Sequence, residues 1–130
     1  MGAGSRFVAA IIGRQIDLSP TLTDVYPELG DVRYRSGGLP VRVGGWALGR
    51  ETAAAITLWR TVFIAPGTPL SAELLLHELR HVQQFVERKT FPLSYLWQSI
   101  RYGYSRNAYE ADARRYSASR IAQNAFDRDL

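Results

Sequence analysis

The stretch between Thr68 and Pro92 constrains this chain more than any other. Leu75, Leu79, Val82 and Phe85-Val86 recur at three- and four-residue spacing, the period of a helix that buries one face. Thr68 or Ser71 can cap it, Pro69 suits a first turn, and Glu73 complements the positive end of the helix dipole. The pattern ends at Thr90-Phe91-Pro92, which predicts a helix over residues 70–88. A second amphipathic segment runs from Leu93 to Tyr102 and stops at Gly103. A third begins at Ser105 or Asn107 and continues through Ala108, Ala111, Ala118, Ile121, Ala122 and Ala125 to the C-terminus.

Upstream the character differs. Residues Ile56 to Ile64 are rich in β-branched and aromatic side chains and stop at Ala65-Pro66-Gly67, which predicts a strand. Leu39 to Val43, ending at Gly44-Gly45, predicts a shorter one, and Trp46 to Ala55 reads as a helical connector. Residues 6–16 fit a short helix or a docking strand, and Leu18 to Leu39, with Pro20, Pro27, Gly30, Gly37 and Gly38, reads as turn-rich and irregular. Strands followed by helices define an α+β chain. A length of 130 residues fits one domain over 1–130 whose first 38 residues form an irregular N-terminal segment.

The chain has no cysteine, which excludes disulfides, a cysteine nucleophile and thiolate metal ligands together. Any metal falls to His, Asp or Glu. The net charge is +4, and Lys89 is the only cation besides histidine that is not arginine. The arginines are spread along the chain, so a nucleic-acid partner is admissible, though solvated surface charge is the simpler account. No apolar run approaches the roughly 20 residues needed to cross a bilayer. Arg6 followed by Phe7 to Gly13 has a signal-like flavour, but the apolar stretch is short and Arg14 and Asp17 follow at once. It reads as a mature N-terminal segment of a cytoplasmic protein with no transmembrane segment.

Within the predicted helix lies His77-Glu78-Leu79-Arg80-His81, an H-E-x-x-H pattern that uses the only two histidines of the chain. Residues four apart are about 40° apart around a helix axis, so both imidazoles leave the same face one turn apart and can grip one ion. Glu78 lies about 60° around from His81, where a carboxylate can act as a base on a water without entering the coordination shell. The rival account is two neighbouring surface histidines, since Leu75, Leu79, Val82 and Val86 point the other way while Glu73, Arg80 and Gln84 share the histidine side.

Catalytic zinc takes three protein ligands and leaves a position for water. Without Cys or a third His, the third ligand must be a carboxylate, and Asn107-Ala108-Tyr109-Glu110-Ala111-Asp112-Ala113 offers two. Glu110 projects beside the small-residue stripe of Ala111, Ala118, Ile121 and Ala125, which can pack closely on another helix; Asp112 faces about 200° away. Glu110 is the preferred ligand. Its competing local roles are a capping box with Asn107 and an i, i+4 pair with Arg114.

His77-Glu78-Leu79-Arg80-His81-Val82-Gln83-Gln84 followed by Tyr109-Glu110-Ala111-Asp112-Ala113 resembles the gluzincin zinc metallopeptidases. The likeness is closest to the short peptidase domain found beside bacterial contractile injection systems and to minimal gluzincins, and it covers residues 39–122. It implies a short β-sheet packed on an active-site helix and a C-terminal helix bearing the glutamate. It further implies His77, His81 and Glu110 as zinc ligands and Glu78 as the catalytic glutamate. A peptide or protein substrate would be hydrolysed by a zinc-activated water, with residues 56–64 as the strand above the metal helix and its edge open to an extended peptide. Thermolysin-like members carry an Asp four residues after the ligand glutamate; Arg114 stands there, which removes the usual support for a ligand histidine. The oxyanion donor stays open among Tyr102, Tyr104, Arg106, Tyr109 and Tyr116. A zinc-binding interaction module without activity is the first alternative. A nucleic-acid binder using Arg101, Tyr102, Tyr104, Arg106, Arg114 and Arg115 is the second.

Overall fold

The computed structural model describes residues 3–4, 11–41, 55–88, 90, 94–95, 97, 101 and 106–129. The chain is α+β and divides into two compact units, Met1–Pro69 and Leu70–Leu130.

The first unit is built on a four-stranded mixed sheet. β1 (Arg14–Ile16) pairs antiparallel with β2 (Arg33–Ser36), β2 pairs in parallel with β4 (Thr61–Ile64), and β3 (Ala55–Leu58) pairs antiparallel with β4. Between β1 and β2 run helix α1 (Pro20–Val25) and a 3-10 turn (Pro27–Asp31). The Ser19 hydroxyl caps α1 on the Leu22 N–H, and Pro20 occupies its first turn, where no N–H is needed. The stretch expected to be irregular, 1–38, therefore holds half of the sheet and a helix. Its prolines and glycines punctuate short elements instead of preventing them.

Two further expectations are corrected. Residues 39–41 are helical, not the start of a strand, as befits Pro40 near a helix N-terminus; positions 42–43 and the connector up to residue 54 lie outside the described residues. The stretch 56–64 is not one strand. It folds back at Trp59-Arg60 into the β3–β4 hairpin, with Leu58 opposite Thr61. Trp59 takes φ 53, the left-handed conformation that two-residue hairpin turns need at their first position. A bulky residue gives no warning of such a turn, because Gly or Asn is the usual occupant.

Gly13 enters β1 at φ +69, and a Cβ there would lie 2.5 Å from the Ser36 carbonyl oxygen. Only glycine fits this approach of two strand ends. The paired Tyr34 and Val62 are both buried, as are Ser36's partner Ile64 and Leu29. The Tyr34 hydroxyl donates to the Leu29 carbonyl at 2.9 Å, and burial pushes its pKa above the ordinary value of 10.0. Stability drawn from the neutral phenol is fully present below pH 10 and is lost as pH rises toward the folded-state value. Tyr34→Phe is expected to lose about 1 kcal/mol at pH 7 through the missing hydrogen bond. The gap between variant and wild type should close above pH 10; denaturant melts showing an unchanged gap up to pH 11 would refute this origin.

The second unit pairs helix α2 (Ala72–Glu87) with helix α3 (Ala108–Asp129). Of the candidate caps, Ser71 serves: its hydroxyl accepts from the Leu74 N–H at 3.2 Å, while Pro69 precedes the helix. Leu75, Leu79 and Val82 are buried as the period predicts, and Leu76 is buried beside them, but Val86 is 63% exposed, so the apolar stripe ends a turn early. The opposite side is not a solvated face either, because Glu78, His81 and Gln84 are also buried. Asn107 caps α3. Its Oδ1 accepts from the Tyr109 N–H at 2.8 Å, and its amide donates to the Tyr95 carbonyl at 3.1 Å. Most of the segment 93–102 lies outside the described residues. No helix among the described residues is long and apolar enough to cross a membrane.

Candidate metal centre

The site is built from two helices of the second unit. On α2, helical spacing brings the His77 and His81 rings to 4.9 Å between centroids, with their planes 81° apart. The ligand atoms of His77, Glu78 and His81 lie within 4.8 Å of one another, so this group could hold a metal ion.

α3 delivers Glu110 to the same place. Its Oε2 lies 2.9 Å from His77 Nε2 and its Oε1 3.0 Å from His81 Nε2. The glutamate preferred from the sequence thus reaches both imidazoles. Its local rivals do not hold its side chain: Asn107 caps through the Tyr109 N–H, and the Glu110 oxygens point at the histidines. The reason is packing. Ala113 is fully buried and Ser117 nearly so, and small residues on this side of α3 let the helices approach until a glutamate spans the gap. The stripe expected to do this lies one residue off, since Ala118 and Ala125 are exposed.

Two of the donor separations at the site are close to those a tetrahedral ion needs. Ligand bonds of about 2.0–2.1 Å at a tetrahedral angle separate donor atoms by about 3.3–3.4 Å, a few tenths of an ångström wider than the His77–Glu110 and His81–Glu110 distances. Two imidazole nitrogens and a carboxylate form a ligand set that zinc accepts with one position left for another group. The exposure of the side chains is graded, His77 at 16%, His81 at 7% and Glu110 at 3%, so His77 marks the solvent side.

The neighbours set the charges. Burial disfavours the ionised Glu110, yet hydrogen bonds from His77, His81 and Tyr95 together with the His81 charge hold its carboxyl well below the usual carboxylate range. Burial also disfavours a charged His81, but the Glu110 hydrogen bond, the Glu78 and Glu110 charges and the Gln84 carbonyl raise its pKa above the ordinary 6.5. Asp112 is pushed up by burial and pulled further down by Gln84 and Arg80, for a net lowering.

Two residues at the site had been given no role there by the sequence. The Tyr95 hydroxyl donates to Glu110 Oε1 at 2.7 Å, and its ring stands edge-on to His81 at 6.0 Å. It belongs to the segment 93–102, outside both motifs, and carries no periodic signal of its own. Gln84 is buried, and its Oε1 lies 2.7 Å from His81 Nδ1. Its place three residues after His81, on one helix face, was the available signal. Asp112, passed over as a ligand, sits one layer out and accepts from Arg80 Nε at 2.6 Å and Gln84 Nε2 at 2.9 Å. Among the oxyanion candidates, Tyr109 accepts from Arg88 through its hydroxyl at 3.3 Å, Arg106 is exposed, and Tyr102 and Tyr104 lie outside the described residues.

No family profile matches the chain, and no curated protein or solved structure was found to match it.

Proposed function

We propose that this chain is a small zinc-dependent peptidase of the gluzincin type, with His77, His81 and Glu110 holding the ion and Glu78 as the catalytic base. The observation that carries the reading is the Glu110 carboxylate seated on both imidazoles. A helix at residue 110 has no local reason to aim a buried acid at two histidines 33 and 29 positions earlier.

When bound, zinc supplies a Lewis acid that polarises a peptide carbonyl and brings the pKa of a coordinated water toward neutrality. The remaining work is done by the chain. Glu78, next to His77 and buried to 6% exposure, takes the proton of the attacking water and returns it to the departing amine, so that atoms and charge balance over one turnover. The Tyr95 hydroxyl on Glu110 Oε1 holds that carboxylate in place, and Gln84 does the same for His81.

Metal analysis of protein purified without added metal tests the ligand set. The expected result is close to one zinc per chain, largely lost in His77→Ala, and absence of bound metal even after zinc loading would overturn the proposal.

A further inference from the structure

We infer that Gln84, anchored by Asp112, fixes the orientation and tautomer of His81, keeping its hydrogen on Nδ1 so that Nε2 is the nitrogen offered to a metal; the inference rests on the metal-centre reading above. The two ends of a glutamine amide are told apart by their partners. Here the partners leave one solution. The Gln84 Nε2 atom lies 3.1 Å from the Tyr109 carbonyl oxygen and 2.9 Å from Asp112 Oδ2. A carbonyl only accepts. Asp112 is ion-paired to Arg80 at 2.6 Å, so its carboxylate accepts as well. Both Gln84 N–H groups are therefore committed to these acceptors, and Oε1 must face His81. An acceptor 2.7 Å from Nδ1 requires that Nδ1 carry the hydrogen. Nε2, 3.0 Å from the acceptor Glu110 Oε1, carries the other ring hydrogen, which is the one a metal would replace.

The anchoring continues outward. Arg80 also donates to Gln83 Oε1 at 3.0 Å and Glu87 Oε1 at 2.9 Å, so Asp112 meets a guanidinium already held in place. The chain from Arg80 through Asp112 and Gln84 to His81 links α2 to α3 and back to α2. It gives His81 Nδ1 a fixed acceptor, and it makes Gln84 and Asp112 positioning residues whose loss is felt in metal affinity.

Zinc affinity measured by competition with a chelating dye tests this on three proteins: wild type, Gln84→Leu and Asp112→Ala. Gln84→Leu removes the acceptor from His81 Nδ1, whereas Asp112→Ala removes one of the two acceptors that hold the Gln84 amide. Gln84→Leu is expected to weaken zinc binding by about 10–100-fold, and Asp112→Ala by an amount toward the lower end of that range. In proton–nitrogen spectra of the zinc-loaded proteins, the His81 Nδ1–H signal should be protected in wild type and lost to solvent exchange in Gln84→Leu. Wild-type affinity and an unchanged ring spectrum in Gln84→Leu would overturn the inference and leave the metal centre standing. A wild type that binds no zinc would overturn both. Should Gln84→Leu not fold, Asp112→Ala decides alone: wild-type affinity and an unchanged His81 Nδ1–H signal in it refute the anchoring role.

Discussion

Glu78→Gln is expected to keep its zinc and lose its activity. The amide has nearly the volume of the carboxylate, and His77, His81 and Glu110, which make the 2.9 and 3.0 Å contacts of the centre, are untouched. What disappears is the group proposed to accept a proton from water and return it to the amine. General acid–base groups of this kind contribute about 10²–10⁴-fold, so hydrolysis of a peptide library should fall by that factor while metal content stays near one per chain. The outcome also separates the enzyme from a zinc-binding module without activity. Equal cleavage by wild type and variant, or none by either, removes the catalytic assignment even if the metal is present.

Zinc is expected to stabilise the protein strongly, and more at pH 8 than at pH 6. A ligand at about a thousand times its dissociation constant adds roughly 4 kcal/mol to folding, which for a chain of this size is a rise in Tm on the order of 10–15 °C. The pH dependence follows from two shifts of opposite sign. His81 is raised above 6.5, so its pairing with Glu110 stabilises the metal-free protein fully below pH 6.5 and fades as pH rises through the folded-state value. Glu110 is lowered from 4.5, so its contribution is present above that pH and is lost only on strong acidification. Metal-free protein is therefore best paired between these limits, where zinc must displace a proton from His81 and affinity falls about tenfold per pH unit. Glu110→Ala should abolish the zinc-dependent rise at both pH values. A rise equal at pH 6 and pH 8 would refute proton competition at His81, and a full rise in Glu110→Ala would remove Glu110 from the centre.

The sheet was the least legible part of the chain. Nothing at Trp59-Arg60 announces a turn, so a run of apolar and β-branched residues reads as one strand where the chain makes a hairpin. The strands at Arg14–Ile16 and Arg33–Ser36 are three and four residues long, too short for alternation to emerge from the prolines and glycines around them. Their pairing, with β2 in parallel beside β4, depends on partners distant in sequence. Val86 was misplaced for a related reason: periodicity continues to the end of a helix whether or not a neighbour extends that far.

Sequence alone determined the two long helices, the shared face of His77 and His81, the flank position of Glu78, and the preference for Glu110 over Asp112. These follow from 3.6 residues per turn and from the side-chain inventory, which act locally and leave a periodic trace. Tertiary structure decided that Glu110 meets both rings, that Tyr95 holds its carboxylate, and that Gln84 and Asp112 stand behind His81. Such contacts are set by how closely two helices pack and which rotamers the packing selects, and single hydrogen bonds between remote residues leave no period to read.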